Sequence, residues 1–118
     1  MRKFIANIII VSSMLFCAQC DSEELPEGTP ECIRQKIDYM LRNCNPPGEV
    51  YSYFYEGKKV YYITARCCDF YSELYDENCN FICAPGGGFG GGGDGKCRDF
   101  FSSATDRQLV WKHDQENP

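Results

Sequence analysis

The stretch Val50-Tyr51-Ser52-Tyr53-Phe54-Tyr55-Glu56-Gly57-Lys58-Lys59-Val60-Tyr61-Tyr62-Ile63-Thr64-Ala65-Arg66 carries the strongest structural signal in this 118-residue chain. Tyr51, Tyr53 and Tyr55 alternate with Ser52, Phe54 and Glu56. Lys59 to Arg66 returns through Val60, Tyr61, Tyr62 and Ile63. Two aromatic and β-branched runs joined by Glu56-Gly57-Lys58 predict an antiparallel hairpin.

On the N-terminal side, Ile33, Ile37, Met40 and Leu41 fall at helical spacing, with Arg34, Gln35, Lys36 and Asp38 on the outer face. Thr29-Pro30-Glu31 is a helix start: threonine as cap, proline in the first turn, an acid at the positive end of the dipole. Pro46-Pro47-Gly48 stops the helix near Asn43. On the C-terminal side, Cys79 and Cys83 stand four apart, one helical turn. The reading is a short second helix from about Ser72 to Cys83, ended by Ala84-Pro85. Eight glycines between Gly86 and Gly95 then read as a flexible linker. The segment from Arg98 is polar apart from Phe100, Phe101 and Leu109-Val110-Trp111, and reads as a loosely attached tail. The expected fold is a small disulfide-rich α+β domain. It has a central two-stranded hairpin, a short C-terminal helix, an N-terminal helix and a flexible glycine-rich tail.

Nine cysteines in so short a chain indicate a disulfide scaffold. Arg2 and Lys3 followed by the apolar run Phe4 to Phe16 fit a secretory signal over residues 1–20, too short for a membrane-spanning helix. Cleavage before Asp21 satisfies the small-residue rule through Ala18 and Cys20 and leaves seven cysteines. Cleavage before Gln19 leaves eight and makes the count even. Residues 21–30 form an acidic leader. Losing Arg2 and Lys3 with the signal takes the net charge from −5 to −7, which argues against nucleic acid or an anionic membrane as partner.

Chemistry-bearing motifs are sparse. His113 is the one histidine, and exported cysteines favour bridges over catalytic thiols, so no catalytic residue is assigned. Cys67-Cys68 with Cys79-x3-Cys83 are read as bridges in preference to zinc ligands. The glycine run lacks the Gly-Lys-Ser/Thr of a phosphate loop, and the acids lack calcium-loop spacing. No metal or cofactor is expected. Seven tyrosines (51, 53, 55, 61, 62, 71 and 75) supply both hairpin packing and an aromatic contact surface.

Cys44 and Cys68 enclose 23 residues, the interval between the second and fourth cysteines of a Kunitz-type inhibitor domain. Tyr53-Phe54-Tyr55 stands close to where that family opens its hairpin, and Cys79-x3-Cys83 reproduces its closing helix. Residues 32–83 therefore resemble a Kunitz-like domain with an altered cysteine framework, as in tick salivary secreted proteins. Val60 stands where the third family cysteine would be, and the Cys32 to Cys44 interval is longer than the family's. The resemblance implies bridges Cys32–Cys83, Cys44–Cys68 and Cys67–Cys79, with Cys97 unassigned. It also places the protease contact at Asn45, Pro46, Pro47, Gly48 and Glu49, after the second cysteine, although Asn45 offers no charge to a trypsin-like pocket.

The resulting domain plan is signal 1–20, acidic leader 21–30, Kunitz-like domain 31–84, linker 85–96 and tail 97–118. The expected function is that of a secreted, non-enzymatic inhibitor of an extracellular serine protease of haemostasis or inflammation, helped by the acidic leader. The alternative is a secreted binding protein or toxin directed at an ion channel, a complement component or a cytokine. Either acts as a monomer, or as a disulfide-linked species if Cys97 lacks an internal partner.

Overall fold

The computed structural model describes residues 24–113 apart from Cys68. The expected signal peptide over residues 1–20, the first part of the expected acidic leader, Cys68 and residues 114–118 lie outside the described residues. The hairpin forms as its sequence predicts. β1 (Glu49–Tyr55) pairs antiparallel with β2 (Lys58–Ile63), Val50 against Ile63 and Tyr53 against Val60. Glu56 and Gly57 both take positive φ, 51° and 79°, the two-residue turn whose twist matches the flanking strands.

The hairpin is the middle of something larger. β3 (Tyr71–Asp76) pairs with β2, and β4 (Phe81–Gly87) pairs with β3, all antiparallel. β5 (Thr105–Lys112) returns to the far side of β1 and gives the order β4-β3-β2-β1-β5. The expected two-stranded α+β arrangement with a C-terminal helix is thus corrected to a five-stranded antiparallel sheet with α1 (Glu31–Arg42) and the single turn α2 (Phe100–Ser103).

The helix expected over Ser72–Cys83 fails for an identifiable reason. Ser72 and Leu74 are buried on one face of β3 and Tyr75 on the other, which is strand alternation. The Asp76 carboxylate then builds a turn. Its Oδ1 accepts the backbone N–H of Asn78 at 2.8 Å and of Asn80 at 2.9 Å, and its Oδ2 accepts the Asn80 amide at 3.0 Å. Cys79 occupies the left-handed position of that loop at φ 62°. Cys79 and Cys83 consequently sit on a turn and on a strand, not on one helical face.

Both faces of the sheet are covered, and β2 shows it. Val60 and Tyr62 enter one apolar cluster, Tyr61 and Ile63 the other, and all four are buried. On the first face Ile33 and Ile37 of α1 pack with Val50, Tyr61, Ile63, Val110 and Trp111. Each such aliphatic side chain contributes roughly 1.5–3 kcal/mol on burial. On the second face Phe100 fills the centre of an aromatic cluster, 4.9 Å from the Tyr53 ring and 5.2 Å from the Tyr55 ring. Residues 97–112, read as a loose tail, therefore supply Cys97 and Phe100 to one core and Val110 and Trp111 to the other.

The glycine run is built into this crossover. Gly93 N–H donates to the Gly87 carbonyl at 3.0 Å, and Asp94 N–H donates to the Ala84 carbonyl at 2.8 Å. A Cβ on Gly87 would lie 2.4 Å from the Phe70 carbonyl oxygen, and one on Gly93 2.2 Å from that of Ala84. Glycine is needed there for close backbone approach at positive φ, not for flexibility.

Two bridges between described residues differ from the implied pairing. Cys32 joins Cys79, and Cys83 joins Cys97. Cys32–Cys83 and Cys67–Cys79 are excluded because α1 lies beside the β3–β4 turn and Cys83 faces the opposite cluster. Cys67 is disulfide-bonded, and Cys44, expected to pair with Cys68, carries a free thiol. The bridges are compatible with an extracellular setting. Among the described residues no helix is long and apolar enough to cross a membrane.

Candidate functional site

The end of α1 begins the site. Cys44 N–H donates to the Leu41 carbonyl at 3.4 Å and Asn45 N–H to the Met40 carbonyl at 3.0 Å, the paired closure of a Schellman motif. Cys44 holds its left-handed position at φ 56°, where glycine is usual. The expected threonine cap at the other end is corrected: Thr29 donates its hydroxyl to the Pro26 carbonyl at 2.7 Å, and α1 has no side-chain cap.

After Cys44 the chain turns into β1. Pro46 and Pro47 are buried, Gly48 N–H donates to the Thr64 carbonyl at 2.9 Å, and Glu49 N–H donates to the Thr64 hydroxyl at 2.7 Å. Of the contact stretch inferred from sequence, Asn45 alone is exposed. Gly48 and Glu49 are pinned to Thr64, so Asn45–Glu49 is a buttress between α1 and the sheet and not a projecting loop.

Between this buttress and the segment following β2 lies a groove of about 670 Å³. Lys36, Tyr39 and Met40 of α1 form one side, Ala65, Arg66, Cys67, Asp69, Phe70 and Tyr71 the other, and Cys44, Asn45 and Pro46 close one end. Glu73 and Tyr75 reach it from β3. Its apolar rim stays open to solvent, with Tyr39 68%, Phe70 62% and Tyr71 50% exposed. Beyond Tyr71, whose ring abuts Gly88, Phe89 projects from the glycine loop at 94% exposure.

Part of the polar equipment is already engaged. Lys36 Nζ stands 4.2 Å from the centre of the Tyr75 ring, and the Tyr75 hydroxyl donates to the Glu73 carboxylate. Burial first, then that hydrogen bond, pushes the Tyr75 phenol well up, so it stays protonated as a donor. Asn45, Arg66 and Asp69 make no side-chain hydrogen bond or ion pair among the described residues. The groove thus offers aromatic faces together with a free amide, a free cation and a free carboxylate. Among the described residues no three His, Cys, Asp or Glu side chains gather as a metal site would require.

Of the seven tyrosines read as shared between packing and a contact surface, Tyr71 lies on this rim and Tyr75 lines the groove. Tyr53 and Tyr55 pack around Phe100, and Tyr51 neighbours the Tyr53 ring and lies under the Arg107 guanidinium, 4.2 Å from the ring centre. Tyr39 and Phe70 were not singled out. The available signal was that Tyr39 falls off the Ile33–Ile37 stripe. The His113 ring lies 5.9 Å from the Trp111 ring, and the His113 backbone N–H donates to the Gly48 carbonyl at 3.3 Å.

A family model described as Domain of unknown function (DUF6970) matches residues 39–113, more than half of the chain. The match takes in all five strands, the rim residues and Cys44. No curated protein and no solved structure matches the chain.

Proposed function

We propose that this chain, which belongs to the DUF6970 family of domains of unknown function, is a secreted, non-enzymatic binding module that holds a segment of an extracellular protein in the groove beside α1. The observation that carries this reading is the aromatic rim. Tyr39, Phe70 and Tyr71 are large, exposed and gathered around one depression, and contiguous exposed apolar surface on a soluble domain marks an interaction site. Rigid aromatic side chains supply contact area at little entropic cost, and buried aromatic anchors dominate measured interfaces. Arg66, Asp69 and Asn45 fix the register of a bound backbone and its charges. Charges of both signs suit a polypeptide better than a uniformly anionic ligand. The expectation of serine-protease inhibition draws no support from Asn45–Glu49, where the prolines are buried and Gly48 and Glu49 are tied to Thr64.

The test selects a random-peptide library on the wild-type domain and on a Tyr39→Ser/Phe70→Ser/Tyr71→Ser variant, all three exposed positions. Peptides enriched on the wild type and weakened about tenfold or more in the variant, as loss of aromatic anchors predicts, support the reading. Equal enrichment on both proteins sinks it. Inhibition of a panel of extracellular serine proteases by both forms would favour the inhibitor reading instead.

A further inference from the structure

We infer that the occupant of the groove is a proline-rich segment in the polyproline II conformation. This rests on the binding function proposed above and names the chemistry of its ligand.

The hydrogen-bonding groups of the groove select among backbone forms. No strand edge opens into it, because β2 lies between β1 and β3, and β3 between β2 and β4. Backbone N–H groups around its closed end are already spent. Those of Cys44 and Asn45 close α1, that of Gly48 meets the Thr64 carbonyl, and that of Ala65 meets the Ser72 hydroxyl at 2.9 Å. A bound β-strand therefore finds no ladder to extend.

What remains on offer is a set of side-chain donors. The hydroxyls of Tyr39 and Tyr71, the Asn45 amide and the Arg66 guanidinium line the groove and have no hydrogen-bond partner among the described residues. Arg66 can only donate, and the other three each have a donor to place. A helical ligand keeps its carbonyls in its own i to i−4 bonds and leaves these donors unmet. A polyproline II segment has no internal hydrogen bonds, so its carbonyls are open to them. Each proline also lacks the N–H that would otherwise need an acceptor. Asp69, the unpartnered acceptor of the same wall, serves the N–H of a residue between prolines.

The rings agree with the donors. Among the described residues Tyr39, Phe70 and Tyr71 pair with no other aromatic ring, unlike the tyrosines around Phe100, so their exposed surface is available to a ligand. The same lining is apolar at Met40, Pro46 and Ile63. With three residues per turn, prolines three apart fall on one side of the segment and present flat apolar rings to an aromatic-lined groove. Such a segment is extended before it binds, so little chain entropy is lost.

The experiment presents the full oxidised chain with two displayed peptide libraries, one random and one with prolines fixed at i and i+3. Preferential enrichment from the second library is expected. Proline-to-alanine replacement in the selected peptides should weaken binding to the wild-type chain about fivefold, through lost preorganisation and ring contact. Tyr39→Phe and Tyr71→Phe, which remove exposed hydroxyls and keep the rings, should each weaken it about three- to tenfold, the scale of one hydrogen bond. Proline-free peptides whose binding is lost in the Tyr39→Ser/Phe70→Ser/Tyr71→Ser variant would overturn the proline-rich ligand and leave the groove reading standing. Proline-rich peptides that bind this variant and the wild type equally would overturn both, as would the absence of any selected binder. Unchanged affinity in both Tyr→Phe variants would overturn the carbonyl recognition on which the inference depends.

Discussion

The Asp94 carboxylate accepts the backbone N–H of Ala84 at 3.0 Å and thereby fastens the glycine run to the outer edge of β4. The same carboxylate accepts Lys96 N–H at 3.0 Å. One side chain so satisfies an edge donor of the sheet and folds the loop over it. These hydrogen bonds, that of Lys96 first, hold the Asp94 carboxyl below its ordinary range. A lowered folded-state pKa contributes stability that is complete above the unfolded value and is lost as pH falls through the folded one. Asp94→Asn should lower the melting temperature near neutral pH and flatten the acid side of the stability profile. Amide exchange of Ala84 and Lys96 should quicken. An unchanged acid limb in thermal melts would show that the loop is held by other contacts.

Two glycines separate backbone need from mere abundance. At Gly93 a Cβ would meet the Ala84 carbonyl at 2.2 Å and φ is 75°, whereas at Gly91 φ is 79° in open space. Both alanine substitutions carry the left-handed penalty, of order 1 kcal/mol. Gly93→Ala must in addition displace backbone. Denaturant titration should therefore show Gly93→Ala more destabilised than Gly91→Ala by about 1–3 kcal/mol, the usual scale of steric overpacking.

The two bridges should differ in weight. Cys32–Cys79 spans 47 residues and Cys83–Cys97 spans 14. Chain-entropy arguments assign about 4 and 3 kcal/mol to loops of those sizes. Paired serine replacement of Cys32 and Cys79 should cost the larger amount in urea unfolding. The Cys83/Cys97 pair should mainly expose Phe100 and quicken exchange in its neighbourhood.

Tyr55 sets an alkaline limit. Its hydroxyl donates to Asp99 at 2.7 Å, and that bond, with burial behind it, pushes the phenol up to about 12. A raised folded-state pKa contributes stability that is whole below the unfolded value near 10 and fades as pH rises through 12. Ultraviolet titration should show several tyrosines ionising late, Tyr75 among them, and Tyr55→Phe should reduce the late amplitude by one phenol and flatten stability above pH 10. An undiminished late amplitude in that variant would show that Tyr55 is not among the late-ionising tyrosines.

What the sequence made legible follows from how local each signal was. The hairpin was readable because Glu56-Gly57 and the tyrosine alternation sit within seventeen residues. α1 was readable because Ile33 and Ile37 repeat at one helical turn. β3 and β4 were missed because Cys79-x3-Cys83 mimics helical spacing, while the feature that decides the matter is a carboxylate at Asp76 reaching two backbone N–H groups. β5 was missed because its partner is β1, far away in sequence, and because six of its eight residues are exposed. The groove was half legible. Asn45 and Pro46 were singled out for a reason that the burial of Pro46 and Pro47 removes, and Tyr39 and Phe70 become visible only when α1 and the segment after β2 are set side by side.

The strand that completes the sheet is also the last one to leave the ribosome. β5 docks beside β1, so in the reduced chain the whole of β2, β3, β4 and the glycine run must be looped out before Val110 and Trp111 find Val50. Such long-range closures are slow. Joining Cys83 to Cys97 changes the problem, because it anchors the crossover to β4 and leaves only a short leash from Cys97 to Thr105. Loop-closure cost grows with length, so oxidation acts as a timer. Chains that form this bridge early should complete their sheet sooner, and spend less time with β1 available to a neighbouring chain.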